Sequence, residues 1–300
     1  MAFGHRIFSD CPLRGLPVAP GLGPASVTMR NTGAAVSVGT LEEGAPRFVR
    51  EPFRGGIRYV ARGIGEFVIA PGGTEVIYTL AAGAPPGDVQ HILTGPALVM
   101  ALQLQGRFIL HSGAVECDGA MFAVSAPHGF GKSTLTAAFH RAGYPVCSDD
   151  VVPIREHEGS FLGGQGQPWI KLWDNALEHF GDRADAYHEV LHGFGKRIVP
   201  GVTTEGELPL RTVYLLAPNM DAGCPTRFRQ LTCLEGALSL MASVYSPEII
   251  VRDLATKNLD FATRLANAVP VRVVSYYRSF ENLPNICDAI LRDFDEVTRA

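Results

Sequence analysis

The run Ala126-Pro127-His128-Gly129-Phe130-Gly131-Lys132-Ser133-Thr134 sets small residues, a lysine and two hydroxyls at a spacing suited to binding phosphate. It lies between an apolar strand-like run, Met121 to Ser125, and a helix-like run, Leu135 to Ala142. In that context main-chain N–H groups close around phosphate oxygens, and the helix N-terminus adds its positive dipole end. Lys132 is expected to reach the β/γ-phosphates and Ser133 to ligate Mg2+. Ala126 stands where such loops usually begin with glycine, whereas Gly129 and Gly131 stand where positive φ and close backbone approach are needed. The plainer alternative is a glycine-rich turn with a surface lysine, and the strand–loop–helix context argues against it. The expected ligand is a nucleoside triphosphate.

Asp149 and Asp150 follow within one short helix and strand of Lys132. Phosphoryl transfer to an alcohol needs one carboxylate near the metal and a base near the acceptor hydroxyl. An adjacent pair at a strand end can divide these tasks, because consecutive strand residues point to opposite faces. The pair alone would read as an Asp-Asp turn; the phosphate loop changes that weighing. His111 sits in an apolar strand upstream, where a histidine by itself is more often a satisfied core residue. Glu116 reads as a hairpin-edge carboxylate. Lys171, Lys196 and Arg197 are candidate basic groups for a phosphate or an acidic peptide end, with solvated surface charge as the competing reading. Trp169 and Trp173 could floor a groove, though core packing accounts equally well for at least one.

Several elements must position these groups. Phe108 to Cys117 reads as one strand, Asp118-Gly119 as a two-residue hairpin turn and Met121 to Ser125 as the returning strand. A helix ends near Gly143, and Pro145 to Ser148 forms a third strand that delivers both aspartates at its carboxyl end, on the side of the phosphate loop. Upstream, residues 1–88 carry short β-favouring runs punctuated by Gly and Pro, among them Ala35 to Gly39, Ile57 to Ala61, Phe67 to Ala70 and Thr74 to Leu80. They predict an antiparallel β lobe, followed by a catalytic domain over 89–300. Within the latter, Val89 to Gln105 has helical apolar spacing closed by Gly106. Beyond a Gly-rich stretch (Gly159 to Gly166) lies Pro168 to Gly181; Arg211 to Ala217 and Val271 to Tyr276 read as strands, and Leu234 to Tyr245, Thr256 to Ala268 and Leu283 to Phe294 as helices.

Composition narrows the class. With 300 residues, 46% hydrophobic and 19% charged, the chain can bury a core without staples. A formal charge of −4 offers no overall basic footprint for nucleic acid. Six scattered cysteines without a C-x-x-C pair suit reduced thiols in a cytoplasmic protein. The N-terminus lacks the apolar stretch of a signal peptide, and no run approaches the roughly 18 apolar residues of a spanning helix.

Taken in order, Leu110 to Gly119, Ala126 to Thr134 and Ser148 to Ile154 resemble the catalytic core of the HPr serine kinase/phosphorylase family, over roughly residues 90–155. The resemblance implies an α/β P-loop fold related to phosphoenolpyruvate carboxykinases. It also implies ATP and Mg2+ as cofactors: Lys132 and the loop amides hold phosphates, Ser133 and one aspartate hold Mg2+, the other aspartate accepts the serine proton, and His111 sits close by. HPr kinases are oligomeric, so a homo-oligomer is part of the expectation. The glycine-rich signature that follows in HPr kinases proper has no copy after Ile154. Instead Ile170 to Gly181, Gly193 to Pro200 and Tyr277 to Pro284 resemble shorter HPr-kinase-like proteins encoded with ribosomal peptides. Their best-known branch, the lasso-peptide precursor kinases, phosphorylates the precursor's C-terminal serine.

The leading expectation is therefore transfer of the ATP γ-phosphoryl group to a serine of a peptide or small protein, with no nucleic-acid or membrane partner. Metal is assigned to Asp150 with Ser133 and the base to Asp149, the reverse being nearly as consistent. Two alternatives stay open: a non-catalytic ATP-binding sensor or assembly protein, favoured by Ala126 and the bulky Phe130, and a kinase of a small hydroxylated metabolite.

Overall fold

The computed structural model describes residues 3, 5–13, 16, 24–38, 46–167, 169–201, 204, 206–245 and 252–299. Among the positions read above, the N-terminal Met1, Ala2, Gly4, Arg14 and Gly15, together with Gly39 and Pro168, lie outside them. The described residues form a mixed α/β structure with several sheets and divide into two compact units.

The first unit comprises Met1–Arg107 with Glu189–Lys196 and Glu248–Leu254. Its six strands run in the order Ile7–Ser9, Val27–Ala35, Glu75–Leu80, Gly65–Ile69, Gly56–Ala61 and Phe48–Phe53. Side chains alternate across a strand, so Ile57, Tyr59, Phe67, Ile69, Val76 and Tyr78 reach one buried face. Phe48, Tyr59, Phe67 and Tyr78 form a cross-strand ladder with ring centroids 5.9, 6.1 and 5.9 Å apart. The lobe expected to be antiparallel is mixed: Val27–Ala35 runs parallel to both Ile7–Ser9 and Glu75–Leu80. Parallel neighbours need a crossover; between Val27–Ala35 and Glu75–Leu80 it is made by the three intervening antiparallel strands, and local turn residues do not encode that pairing.

The predicted helix from Val89 forms as Pro86–Ile92 and Leu98–Leu104, joined through a wider turn at Leu93–Ala97. Pro96 has no N–H to donate and its ring crowds the preceding turn, which accounts for the widening. These helices belong to the first unit, so residues 88 and 89 lie inside a unit that continues to Arg107.

The second unit, Phe108–His188 with Arg197–Pro247 and Ala255–Ala300, is built on a nine-stranded sheet. At its centre Ala120–Ser125, Glu207–Asn219 and Val271–Tyr277 run parallel. The helices Lys132–Arg141 and Leu283–Arg299 bury Leu135, Phe139, Ile286, Ile290 and Phe294 in a cluster with Phe122, Tyr214 and Val274 of those strands. Asp118 and Gly119 both take positive φ (51° and 74°), as a two-residue turn between twisted strands requires, and pair Ser112–Cys117 with Ala120–Ser125.

Phe108 to Cys117 is not one strand. Phe108–Leu110 pairs with Val152–His157, whereas Ser112–Cys117 pairs with Ala120–Ser125 and Val146–Ser148. The break falls at His111, whose main-chain N–H donates to the Ser243 carbonyl at 2.7 Å, while Tyr245 N–H donates to Ile109 O at 2.9 Å. A long-range partner thus replaces the sheet ladder where local β propensity would have carried it through.

Candidate active site

Strand direction decides what meets at one edge of the second unit's sheet. Ser112–Cys117 is antiparallel to both Ala120–Ser125 and Val146–Ser148, so the latter two point the same way. Residues following Ser125 and Ser148 therefore emerge at one edge, where His111, entering the oppositely directed strand, also lies. Ser125 Oγ donates to the His111 carbonyl at 3.3 Å. This is the carboxyl edge at which α/β sheets place ligands.

The loop between Ser125 and the helix Lys132–Arg141 has Pro127, His128, Gly129 and Phe130 exposed. Gly129 and Gly131 have φ of 81° and 91°, a region that L side chains rarely adopt. Gly131 is the N-cap of the helix, so amides of the first turn, including those of Ser133 and Thr134, open onto the loop. Lys132 is 7% exposed, and its ammonium turns back to donate to the Ala126 carbonyl at 2.7 Å. A strand, a loop with two left-handed glycines and a helix carrying a retracted lysine are elements from which an anion site can be built.

Asp149 and Asp150 lie just past Val146–Ser148, and strand alternation is not what separates them. Asp150 has φ of 76°, in the left-handed region, and Ser148 Oγ donates to the Val151 carbonyl across the turn. Consequently Asp149 is 1% exposed, and its Oδ2 accepts the main-chain N–H of Lys171 at 2.9 Å. Asp150 keeps a 22% exposed side chain, and its Oδ2 accepts the Lys171 ammonium at 2.7 Å. His111 Nδ1 lies 3.0 Å from the Asp150 carbonyl and 3.3 Å from Asp150 Oδ1. Burial pushes the His111 pKa down to about 4; Asp150 opposes that shift, and the Lys132 and Lys171 charges reinforce it. His111, Asp150, Lys132 and Lys171 thus belong to one electrostatic cluster.

No family model matches the chain, and no curated protein matches it either. Among solved structures, the HPr(Ser) kinase/phosphatase from Coxiella burnetii aligns with 64% of this chain and 99% of its own, at 13% identity and a TM-score of 0.36. Nothing about the present chain's chemistry follows from a likeness at that level.

Of the basic residues singled out earlier, Lys171 joins the aspartates. Arg197 instead pairs with Asp174, through contacts of 3.0 and 3.4 Å, and Lys196 groups with the first unit. Trp169 Nε1 donates to Gln167 Oε1 at 3.2 Å, while Trp173 is exposed. Two contributors escaped the sequence reading. Arg278 follows the central strand Val271–Tyr277 and donates from Nη2 to the Gly129 carbonyl at 2.8 Å, tying that strand end to the loop. Gly166 lies against the aspartate turn: a Cβ there would overlap Ser148 Oγ and sit 2.5 Å from the Val151 carbonyl. The end of a central strand was a signal for the first; nothing in a Gly-rich stretch distinguishes the second.

Mg2+ in kinase sites is held by one or two carboxylates plus nucleotide phosphates, not by an all-protein cage. The donor set fits that pattern. Among the described residues no group of three or more His, Cys, Asp or Glu side chains could hold a metal by itself; Asp150 and Ser133 would supply oxygen ligands of that type together with a polyphosphate. No helix of the described residues is long and apolar enough to cross a membrane.

Proposed function

We propose that the chain is an ATP- and Mg2+-dependent kinase that phosphorylates a serine hydroxyl of a peptide or small protein. The observation that carries this reading is the convergence, at one sheet edge, of the Lys132 loop with the Asp149–Asp150 turn. In the proposed reaction the acceptor oxygen forms a bond to the γ-phosphorus as the bond from that phosphorus to the β,γ-bridging oxygen breaks, releasing ADP; the hydroxyl proton passes to a base. Lys132 and the amides of Gly129 to Thr134 would bind the β/γ oxygens, and Asp150 with Ser133 would hold the metal. When bound, Mg2+ supplies charge neutralisation at those oxygens.

Two groups compete for the role of base. Asp149 suits it by position but is almost fully buried. His111 competes through its Nε2, since its other nitrogen is committed to Asp150, although burial lowers its basicity. A peptide acceptor, and specifically the C-terminal serine of a lasso-peptide precursor, is supported by the resemblance of Ile170 to Gly181 and Gly193 to Pro200. Phe130, 40% exposed in the loop, favours the sensor reading as the second candidate.

The test incubates purified protein with Mg2+, γ-labelled ATP and source-cell extract, followed by size fractionation. Label in a small-peptide fraction, lost in Lys132→Ala, supports a peptide kinase and yields the substrate for sequencing. Label in an intact protein points to a protein acceptor. Absence of transfer with ATP binding intact overturns the kinase reading in favour of a sensor.

A further inference from the structure

Lys171 contacts the two aspartates through different groups. Its main-chain N–H binds Asp149 and its ammonium binds Asp150. The Lys171 side chain is only 8% exposed, so its charge could not stay buried cheaply without Asp150, whose own side chain is 22% exposed. Its strand, Trp169–Trp173, is anchored by Ile170 and Leu172 in a core cluster with Ala137, Val146 and Leu177. Because neighbours in a strand face opposite ways, that anchoring directs Lys171 to the side away from the cluster, toward the aspartates.

Charge balance explains why a lysine belongs here. Two carboxylates at the end of one strand repel each other, and Lys132 and Lys171 bring matching positive charge. On the phosphoryl-transfer reading a magnesium polyphosphate would use the Asp150 carboxylate, whose Oδ2 the Lys171 ammonium now engages. An ammonium is a point charge on a flexible stem and can swing off one acceptor, whereas a main-chain N–H cannot.

We propose that Lys171 is a built-in counter-ion: its ammonium neutralises Asp150 whenever no divalent cation is bound and yields that carboxylate to the cation, while its main-chain N–H holds Asp149 in place throughout. This rests on the phosphoryl-transfer reading of the same site. It makes Lys171 a positioning residue that competes with metal, which a purely structural lysine would not do.

Mn2+, as a surrogate for Mg2+, is titrated into the full chain, alone and with a non-hydrolysable ATP analogue, and followed by electron paramagnetic resonance. Lys171→Met removes the competing charge and is expected to bind Mn2+ about tenfold more tightly than wild type. Lys171→Arg keeps the charge and should stay within about twofold. Lys171→Gln gives the same readout should the methionine variant fail to fold, with circular dichroism as the check. Unchanged or weaker Mn2+ binding in a folded neutral variant overturns the proposal. Nucleotide binding and label transfer by the wild type report separately on the kinase reading, so the two failures are distinguishable.

Discussion

Nδ1 of His111 faces two oxygens of Asp150, the main-chain carbonyl at 3.0 Å and the carboxylate Oδ1 at 3.3 Å. Both are acceptors, so Nδ1 carries the hydrogen and the lone pair resides on Nε2. Burial holds the pKa at about 4, so the ring is a neutral imidazole at physiological pH, with Nε2 able to take a proton.

That state has a pH signature. A folded-state pKa of about 4, against an ordinary 6.5, means that the unfolded chain binds the extra proton first. The contribution to stability is therefore complete above the unfolded pKa and is lost as pH falls from 6.5 toward 4. Urea unfolding of wild type and His111→Gln at neutral pH and near pH 4.5 should show the larger acid loss in wild type. A His111 ring that titrates near 6.5 by NMR would contradict the assignment.

Substitutions at the edge cluster should separate binding from chemistry. Lys132→Ala is expected to weaken ATP binding and lower transfer by about 10²-fold or more. Asp149→Asn should abolish transfer and spare binding if Asp149 is the base. Normal turnover in Asp149→Asn, with transfer lost in His111→Gln, would move that role to His111.

Gly166→Ala should destabilise the protein by about 1–3 kcal/mol, since the added methyl meets both Ser148 and the Val151 carbonyl. Adding Ser148→Ala removes the Oγ overlap and leaves the Val151 carbonyl and the Ser148 Cβ close, so the double variant should recover only partly in thermal unfolding. Turnover should fall by more than the stability loss explains, because the displaced turn carries Asp149 and Asp150.

Arg278→Ala removes the link from the last central strand to Gly129. The expected result is a KM for ATP raised roughly three- to tenfold with kcat little changed, as for a group that shapes the binding loop and not the transition state. A fall in kcat at constant KM would place Arg278 at the reacting phosphate instead.

Sequence patterns that act over short distances were legible. The glycines at 129 and 131, the Asp118-Gly119 turn, the helix after Lys132 and the closing strand and helix are each specified by neighbouring residues, and each forms. The Val271–Tyr277 strand and the helix from Leu283 begin where apolar periodicity places them. Tertiary structure decided the rest. His111 breaks its strand because Ser243, distant in the chain, supplies its backbone acceptor. Asp150 turns left-handed where strand alternation predicted an extended pair, and Lys171 joins both aspartates although nothing local distinguished it from Arg197. Propensity, turn chemistry and glycine freedom are properties of a few adjacent residues, so the linear chain carries them openly. Which buried charge meets which partner depends on strand order and on the cost of leaving either charge unpaired, and these are settled only when distant segments pack together.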